Sequence, residues 1–245
     1  MTDIPFRLTY VFHSCFLFET EHVAIIFDYW KDSKDDVVAR FLRSTTKRVY
    51  FLCSHFHEDH FNPELLHFEV PNGEKKVLLS RDIKKFRRLS DEGVTRFLKL
   101  KEVYEDDGIK ITVCGSTDIG VSFVVQADGL TVYHAGDNNN WIFPDEMDAR
   151  EIKMMEGCFL ATLRDMKARF DAFDVAMFPI DPRLGNEMGR GAVQFLHALP
   201  SRIFVPMHFG FSYAAAAGFS STMAAFNSTY LPARHTGEVL VDCLS

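Results

Sequence analysis

The sequence predicts an α/β protein in which two β-sheets pack together and helices cover them from outside. Three observations predict it. A strand meander followed by strand–helix units occurs twice along the chain. Some strands are near-continuous apolar runs, the pattern of strands buried on both faces. No Pro/Gly/Ser-rich linker divides the two similar halves, about 1–120 and 121–245, so both belong to a single domain, 1–245.

The elements follow in order. Residues 6–12, 16–20 and 23–28 are short apolar and aromatic runs broken by Glu21-His22, which reads as a meander. Residues 35–43 have helical spacing (Val37, Val38, Phe41, Leu42) behind acidic residues suited to a helix start. Residues 48–53, Arg-Val-Tyr-Phe-Leu-Cys, form a doubly buried strand. A second meander begins with residues 109–114. Residues 121–127 and 130–135 flank Asp128-Gly129, a strong hairpin signal. Residues 145–170 are helical, 175–180 a strand, 191–199 a helix, 203–207 a strand and 238–243 a final strand. No internal repeat of 20–50 residues occurs.

The chain has 245 residues, with 47% hydrophobic and 25% charged residues, an ordinary globular composition that excludes disorder, collagen and coiled coil. No apolar run approaches the roughly 18 residues of a membrane span, and the N-terminus lacks the pattern of a secretory signal. The net charge of −7 argues against a generic nucleic-acid partner, which carries a basic excess. Five scattered cysteines without a CxxC pair exclude a disulfide framework and a thiolate zinc site. They fit reduced thiols in a cytoplasmic protein. The basic stretch 81–88 reads as a solvated helix face, and 185–191 lacks the order of a phosphate-binding loop.

The chemistry concentrates in His55-Phe56-His57-Glu58-Asp59-His60. With 10 histidines in the chain, an HxHxDH string arises by chance roughly once in a thousand such sequences. It follows the buried strand and precedes Asn62-Pro63-Glu64, which reads as N-cap, first-turn proline and acidic first turn. The cluster therefore lies beyond the carboxyl end of a strand, where α/β proteins place their sites. Its nitrogen and oxygen donors suit zinc, iron or manganese. The loop can direct His55 and His57 to one metal while Asp59 and His60 face a second.

HxHxDH after a hydrophobic strand resembles the metallo-β-lactamase superfamily. Asp28, closing Ile25-Ile26-Phe27, is similar to that family's early aspartate that supports the metal loop. His134-Ala135-Gly136-Asp137 resembles the HAGD of the branch containing ascorbate 6-phosphate lactonase, and His13-Ser14-Cys15-Phe16 the HxxF of the same branch. His208, closing Phe204 to Met207, resembles the final metal histidine. The resemblance implies a four-layer αβ/βα sandwich. It also implies a metal set of His55, His57, Asp59, His60, Asp137 and His208, with Asp137 bridging two ions.

One position departs from the pattern. The family expects a third histidine between His60 and Asp137, where this chain has Cys114-Gly115-Ser116-Thr117-Asp118, with Gly115 in the ligand's place. Asp118, Cys114, His134 or water takes over that role, or the protein works with one firmly held ion. His134 lies an odd number of residues before Asp137, so strand alternation sends it to the opposite face. It reads, with His13, Asp28, Asp118 and Asp181, as a supporting or substrate-contacting residue, and Arg183 as an anion contact. His22, His67, His197 and His235 have no supporting context.

The expected function is hydrolysis of a small-molecule ester, lactone, amide or phosphodiester by hydroxide on a divalent metal, zinc first, with manganese or iron as alternatives and one or two ions bound. Bound metal lowers the pKa of water toward ~7. Asp59 would ligate and orient the nucleophile. The alternatives are a metal-binding or sensory module with decayed catalysis, prompted by the missing histidine, and a nuclease of the same superfamily. The substrate and the oligomeric state are not legible.

Overall fold

The computed structural model describes residues 4–244. The first sheet begins as a meander of β1 (Arg7–Phe12), β2 (Cys15–Glu19) and β3 (Val23–Phe27). Helix α1 (Val37–Ser44) then carries the chain to β4 (Arg48–Cys53), parallel to β3. β5 (Lys75–Ser80), α2 (Arg81–Arg87) and β6 (Arg96–Leu98) extend the parallel part. The second sheet repeats the scheme. An antiparallel run of β7 (Val103–Glu105), β8 (Lys110–Cys114), β9 (Ser122–Ala127) and β10 (Leu130–His134) comes first. Helix α3 (Ala149–Lys167), β11 (Phe173–Pro179), α4 (Arg190–Ala198) and β12 (Ser201–Met207) follow. Short helices α5 (Tyr213–Gly218) and α6 (Ser220–Met223) lead to β13 (Thr229–Tyr230). Finally β14 (Glu238–Asp242) returns to pair with β1.

Among the described residues each sheet has seven strands, ordered β14-β1-β2-β3-β4-β5-β6 and β13-β12-β11-β10-β9-β8-β7. The expected αβ/βα sandwich is therefore what forms. The division between sheets corrects the sequence reading. It falls between Leu98 and Val103 rather than near residue 120, and β14 crosses back to the first sheet. Strands β5, β6, β7 and β13 were not anticipated. β6, β7 and β13 are too short to show periodicity, and β5 begins with two lysines.

Alternation along strands separates the layers. On β4, Tyr50 and Leu52 belong to the core between the sheets, whereas Val49, Phe51 and Cys53 pack with Val38 and Leu42 of α1 and Ile83 of α2. On the far side, Phe159 and Leu163 of α3 and Phe195 of α4 cover the second sheet. Asp128 (φ 46°) and Gly129 (φ 80°) join Ala127 to Leu130 as the expected two-residue hairpin. Helix α3 starts at a capping box: Asp148 accepts the Glu151 amide and the Glu151 side chain accepts the Asp148 amide. Asn62 caps Glu64 as expected, but the turn it opens, Pro63–His67, is a 3₁₀ helix.

Candidate metal centre

Parallel strands point their carboxyl ends one way, so β3, β4, β11 and β12 deliver Asp28, Ser54-His55, Asp181 and His208 to one edge of the sandwich. The β10 end adds Asp137 and the β1–β2 turn adds His13. His13, Asp28 and His208 all adopt left-handed backbone (φ 57°, 41° and 64°). Non-glycine residues rarely accept that conformation, and here it turns each side chain inward at a strand end.

Two groups of potential ligands result, each with its donor atoms within 4.8 Å of one another: His55, His57, Asp118 and Asp137, and His13, Asp59, His60 and His208. Asp137 connects them. Its Oδ2 lies 3.4 Å from His55 Nε2, and its Oδ1 lies 3.1 Å from His60 Nε2 and 3.3 Å from His208 Nε2. His60 Nε2, His208 Nε2 and Asp137 Oδ1 are buried without a hydrogen bond. Each such orphan costs about 1–3 kcal/mol, and three aimed at one spot form the cradle that a cation satisfies. The donor set fits a divalent metal pair.

A second layer fixes which nitrogen faces the centre. Asp28 accepts the amide and hydroxyl hydrogens of Ser54, each at 2.7 Å, and His60 Nδ1–H, also at 2.7 Å. Because the Ser54 hydroxyl donates to Asp28, its oxygen accepts from His55 Nδ1–H at 2.9 Å. His208 Nδ1–H donates to Asp181 at 2.9 Å, and Arg183 clamps that carboxylate. All three rings therefore turn Nε2 toward the centre, where His55 Nε2 lies 2.9 Å from His57 Nδ1.

His13 and His134 differ. His13 Nδ1 accepts the Gly210 amide hydrogen at 3.2 Å, which leaves the proton on Nε2, 3.2 Å from Asp59 Oδ2. Burial pushes this ring down to about 4, so it is neutral near pH 7. His134 donates Nε2–H to the Ser14 carbonyl, accepts the Gly136 amide hydrogen on Nδ1, and stacks on Phe27. With both nitrogens engaged it has no lone pair for a metal. Strand alternation does not extend from His134 to Asp137, since β10 ends at His134 and Gly136 (φ 52°) leaves strand geometry.

The electrostatics favour positive charge. Burial opposes ionisation of His208, yet Asp137 and Asp181 outweigh it and push the ring up to about 9. His60 is raised for the same reason, burial being overcome by Asp137 and Asp28. Burial likewise opposes the Asp137 charge, but His208 and His60 hold its carboxyl well below the usual range.

The structure relocates the departure from the family pattern. A Cβ at Gly115 would lie 3.5 Å from Thr162 of α3 and within 4 Å of no imidazole. Asp118 instead brings Oδ2 to 4.0 Å from His57 Nδ1, and both side chains are about two-fifths exposed at the rim. Gly120 (φ 84°) allows this approach, since a Cβ there would lie 2.3 Å from the Ser54 carbonyl oxygen. Sequence reading also missed α2 as a support. Asp82 accepts the Phe56 amide, Arg87 donates to the Phe56 carbonyl, and Phe86 stacks on Phe56. An aspartate at the start of the basic run was the available signal. Around the opening, Trp30 packs against His13 and Trp141 against His208. Phe211 is 69% exposed. The Lys31 ammonium lies over Phe12, Trp30 and Phe211 at 4.3, 4.4 and 5.6 Å.

A two-sheet sandwich holding HxHxDH, a strand-end aspartate and a distant histidine at one edge defines a metal-site protein of the metallo-β-lactamase kind. The chain belongs to the family described as the β-lactamase superfamily domain, whose model matches residues 7–208. It is 28% identical over 220 residues to a UPF0173 metal-dependent hydrolase of Opitutus terrae, covering 83% of this chain and 84% of that one. Igni18, a metallo hydrolase of Ignicoccus hospitalis, shares the fold at 20% identity and a TM-score of 0.67, over 96% and 97% of the two chains. CmlA, a diiron β-hydroxylase of Streptomyces venezuelae, shares it at 12% identity and a TM-score of 0.64, over 96% of this chain and 54% of that one. At these identities the two solved structures speak for the fold alone. Among the described residues, no helix is long and apolar enough to cross a membrane.

Proposed function

We propose that this protein is a metal-dependent hydrolase of small molecules bearing an acyl or phosphoryl ester. The observation that carries the reading is Asp137 reaching His55 with one oxygen and His60 and His208 with the other. In this reading His55, His57, Asp59, His60, Asp137 and His208 hold the ions. Divalent metal bound there supplies a Lewis acid and lowers the pKa of coordinated water toward ~7.

The chain's own groups do the rest. Burial opposes the Asp59 charge, but His13, His60 and His208 hold its carboxyl well below the usual range, so it stays ionised and orients the attacking water. The neutral His13 sets Nε2 3.2 Å from Asp59 Oδ2, the oxygen that also faces His60 and His208, and so helps to position that carboxylate. Asp28 and Asp181 hold His60 and His208 in the ligating tautomer. Trp30, Trp141 and Phe211 offer apolar surface beside the centre, while Lys31 and Arg183 supply positive charge for an anionic group on the substrate. The likeness of His134 to Asp137 to the ascorbate 6-phosphate lactonase motif makes lactones and phosphorylated sugars the first compounds to test. Five free cysteines support a reducing, cytoplasmic setting.

The missing histidine was the motive for a decayed sensory module, and Asp118 beside His57 removes that motive. The test is turnover of an ester, lactone, amide and phosphodiester panel by protein reconstituted with manganese, iron or zinc. The reading expects activity that His60→Ala abolishes. Inertness toward the whole panel with every metal would sink it.

A further inference from the structure

The departure at Asp118 is chemical as well as positional. The outer group has two imidazoles, His55 and His57, and one carboxylate of its own, Asp118. In the inner group His13 carries its proton on Nε2 because Gly210 occupies Nδ1, so it offers no lone pair. What remains is again two imidazoles, His60 and His208, and one carboxylate, Asp59. The two halves are therefore matched, and Asp137 belongs to both. A third imidazole would favour zinc. Two histidines with one carboxylate and open positions suit iron(II), and added carboxylate suits manganese(II).

We infer that this site takes a matched pair of oxygen-preferring ions, iron(II) or manganese(II), and that Asp118 is the residue that makes the outer half so. The inference rests on the reading of the site as a metal centre. Asp118 is held for this task. Its Oδ1 accepts the Ile119 amide at 2.7 Å and its own amide donates to Ser116 Oγ at 3.2 Å, which leaves Oδ2 toward His57. Gly115 itself has no side chain to ligate, and a Cβ there would first meet Thr162 at 3.5 Å.

The experiment strips the full-length protein with a chelator and titrates it with manganese(II) and with zinc(II). Bound ions are counted by elemental analysis after desalting, and the manganese form is read by electron paramagnetic resonance. Zinc binds more tightly than manganese to almost any ligand set, so the informative quantity is the zinc-over-manganese ratio. Wild type should hold two manganese ions with an exchange-coupled spectrum. Asp118→Ala should hold one, with a single-ion spectrum and unchanged circular dichroism. Asp118→His should regain the second ion and raise the zinc-over-manganese ratio about tenfold or more, equivalent to about 1.4 kcal/mol. Gly115→His should leave the ratio as in wild type. Two ions retained in Asp118→Ala, one ion in wild type, or an Asp118→His ratio equal to wild type would each overturn the inference. None of these readouts involves turnover. A protein that binds as stated but hydrolyses nothing removes the hydrolase reading and leaves this one intact.

Discussion

His13 Nε2 lies 3.2 Å from Asp59 Oδ2, while its other nitrogen accepts the Gly210 amide hydrogen. That arrangement makes His13 a positioning residue for the reaction. His13→Gln should keep both metal ions while kcat on the best panel substrate falls about 10–100-fold with KM little changed. Elemental analysis and steady-state kinetics check it, and loss of metal would mean the ring is a ligand after all.

Asp181 holds His208 through Nδ1, and Arg183 holds Asp181. Asp181→Asn removes the charge that enforces this tautomer. Metal affinity should fall about 10–100-fold, measured by competition with a chromophoric chelator. Arg183→Gln, one contact further away, should fall less.

His134 is buried, stacked on Phe27 and hydrogen-bonded at both nitrogens. His134→Ala should lower unfolding stability by about 2–4 kcal/mol through the cavity and the orphaned Ser14 and Gly136 groups. Its metal stoichiometry should equal that of wild type. Denaturant titration and ion counting separate the two effects.

Two glycines should respond with opposite signs. Gly120→Ala places a Cβ 2.3 Å from the Ser54 oxygen at a φ of +84°, so it should cost about 1–3 kcal/mol and weaken the outer half of the metal site. Gly157 lies inside α3 with nothing near its missing Cβ, so Gly157→Ala should stabilise by about 0.5–1 kcal/mol. Melting curves of the two variants test the pair.

Asp106 accepts hydrogen bonds from the Tyr50 and Tyr104 hydroxyls and from the Gly108 and Ile109 amides. Burial works against its charge, but these donors win and its carboxyl sits below the usual range. A carboxylate with a lowered folded pKa contributes stability that is full above its unfolded pKa of about 3.9 and fades as pH falls through the folded value. Asp106→Asn should therefore be less stable than wild type at pH 6, with the gap narrowing below about pH 4. A constant gap down to pH 2.5 would speak against this role.

Much of the sandwich was legible because its signals are local. Near-continuous apolar runs mark β1 to β4, Asp128-Gly129 marks a turn, and HxHxDH sits directly after a buried strand. The strands that were missed are short, and β14 joins the first sheet through pairing with β1 that no local pattern encodes. The approach of Asp118 to His57 was not legible because spacing along a loop says little about where side chains point.

The sequence by itself determined the layered architecture and singled out the HxHxDH loop, whereas Asp28, Asp137 and His208 stood out only through the resemblance to a known family. Hydrophobic periodicity and turn chemistry act over a few residues and survive without knowledge of the fold. Only the tertiary structure decided that Asp118 comes to 4.0 Å from His57, that His13 lies beside Asp59, and that His134 is spent on backbone. Those outcomes depend on how loops from separate strands approach one another, and a hydrogen bond is won or lost over less than an ångström.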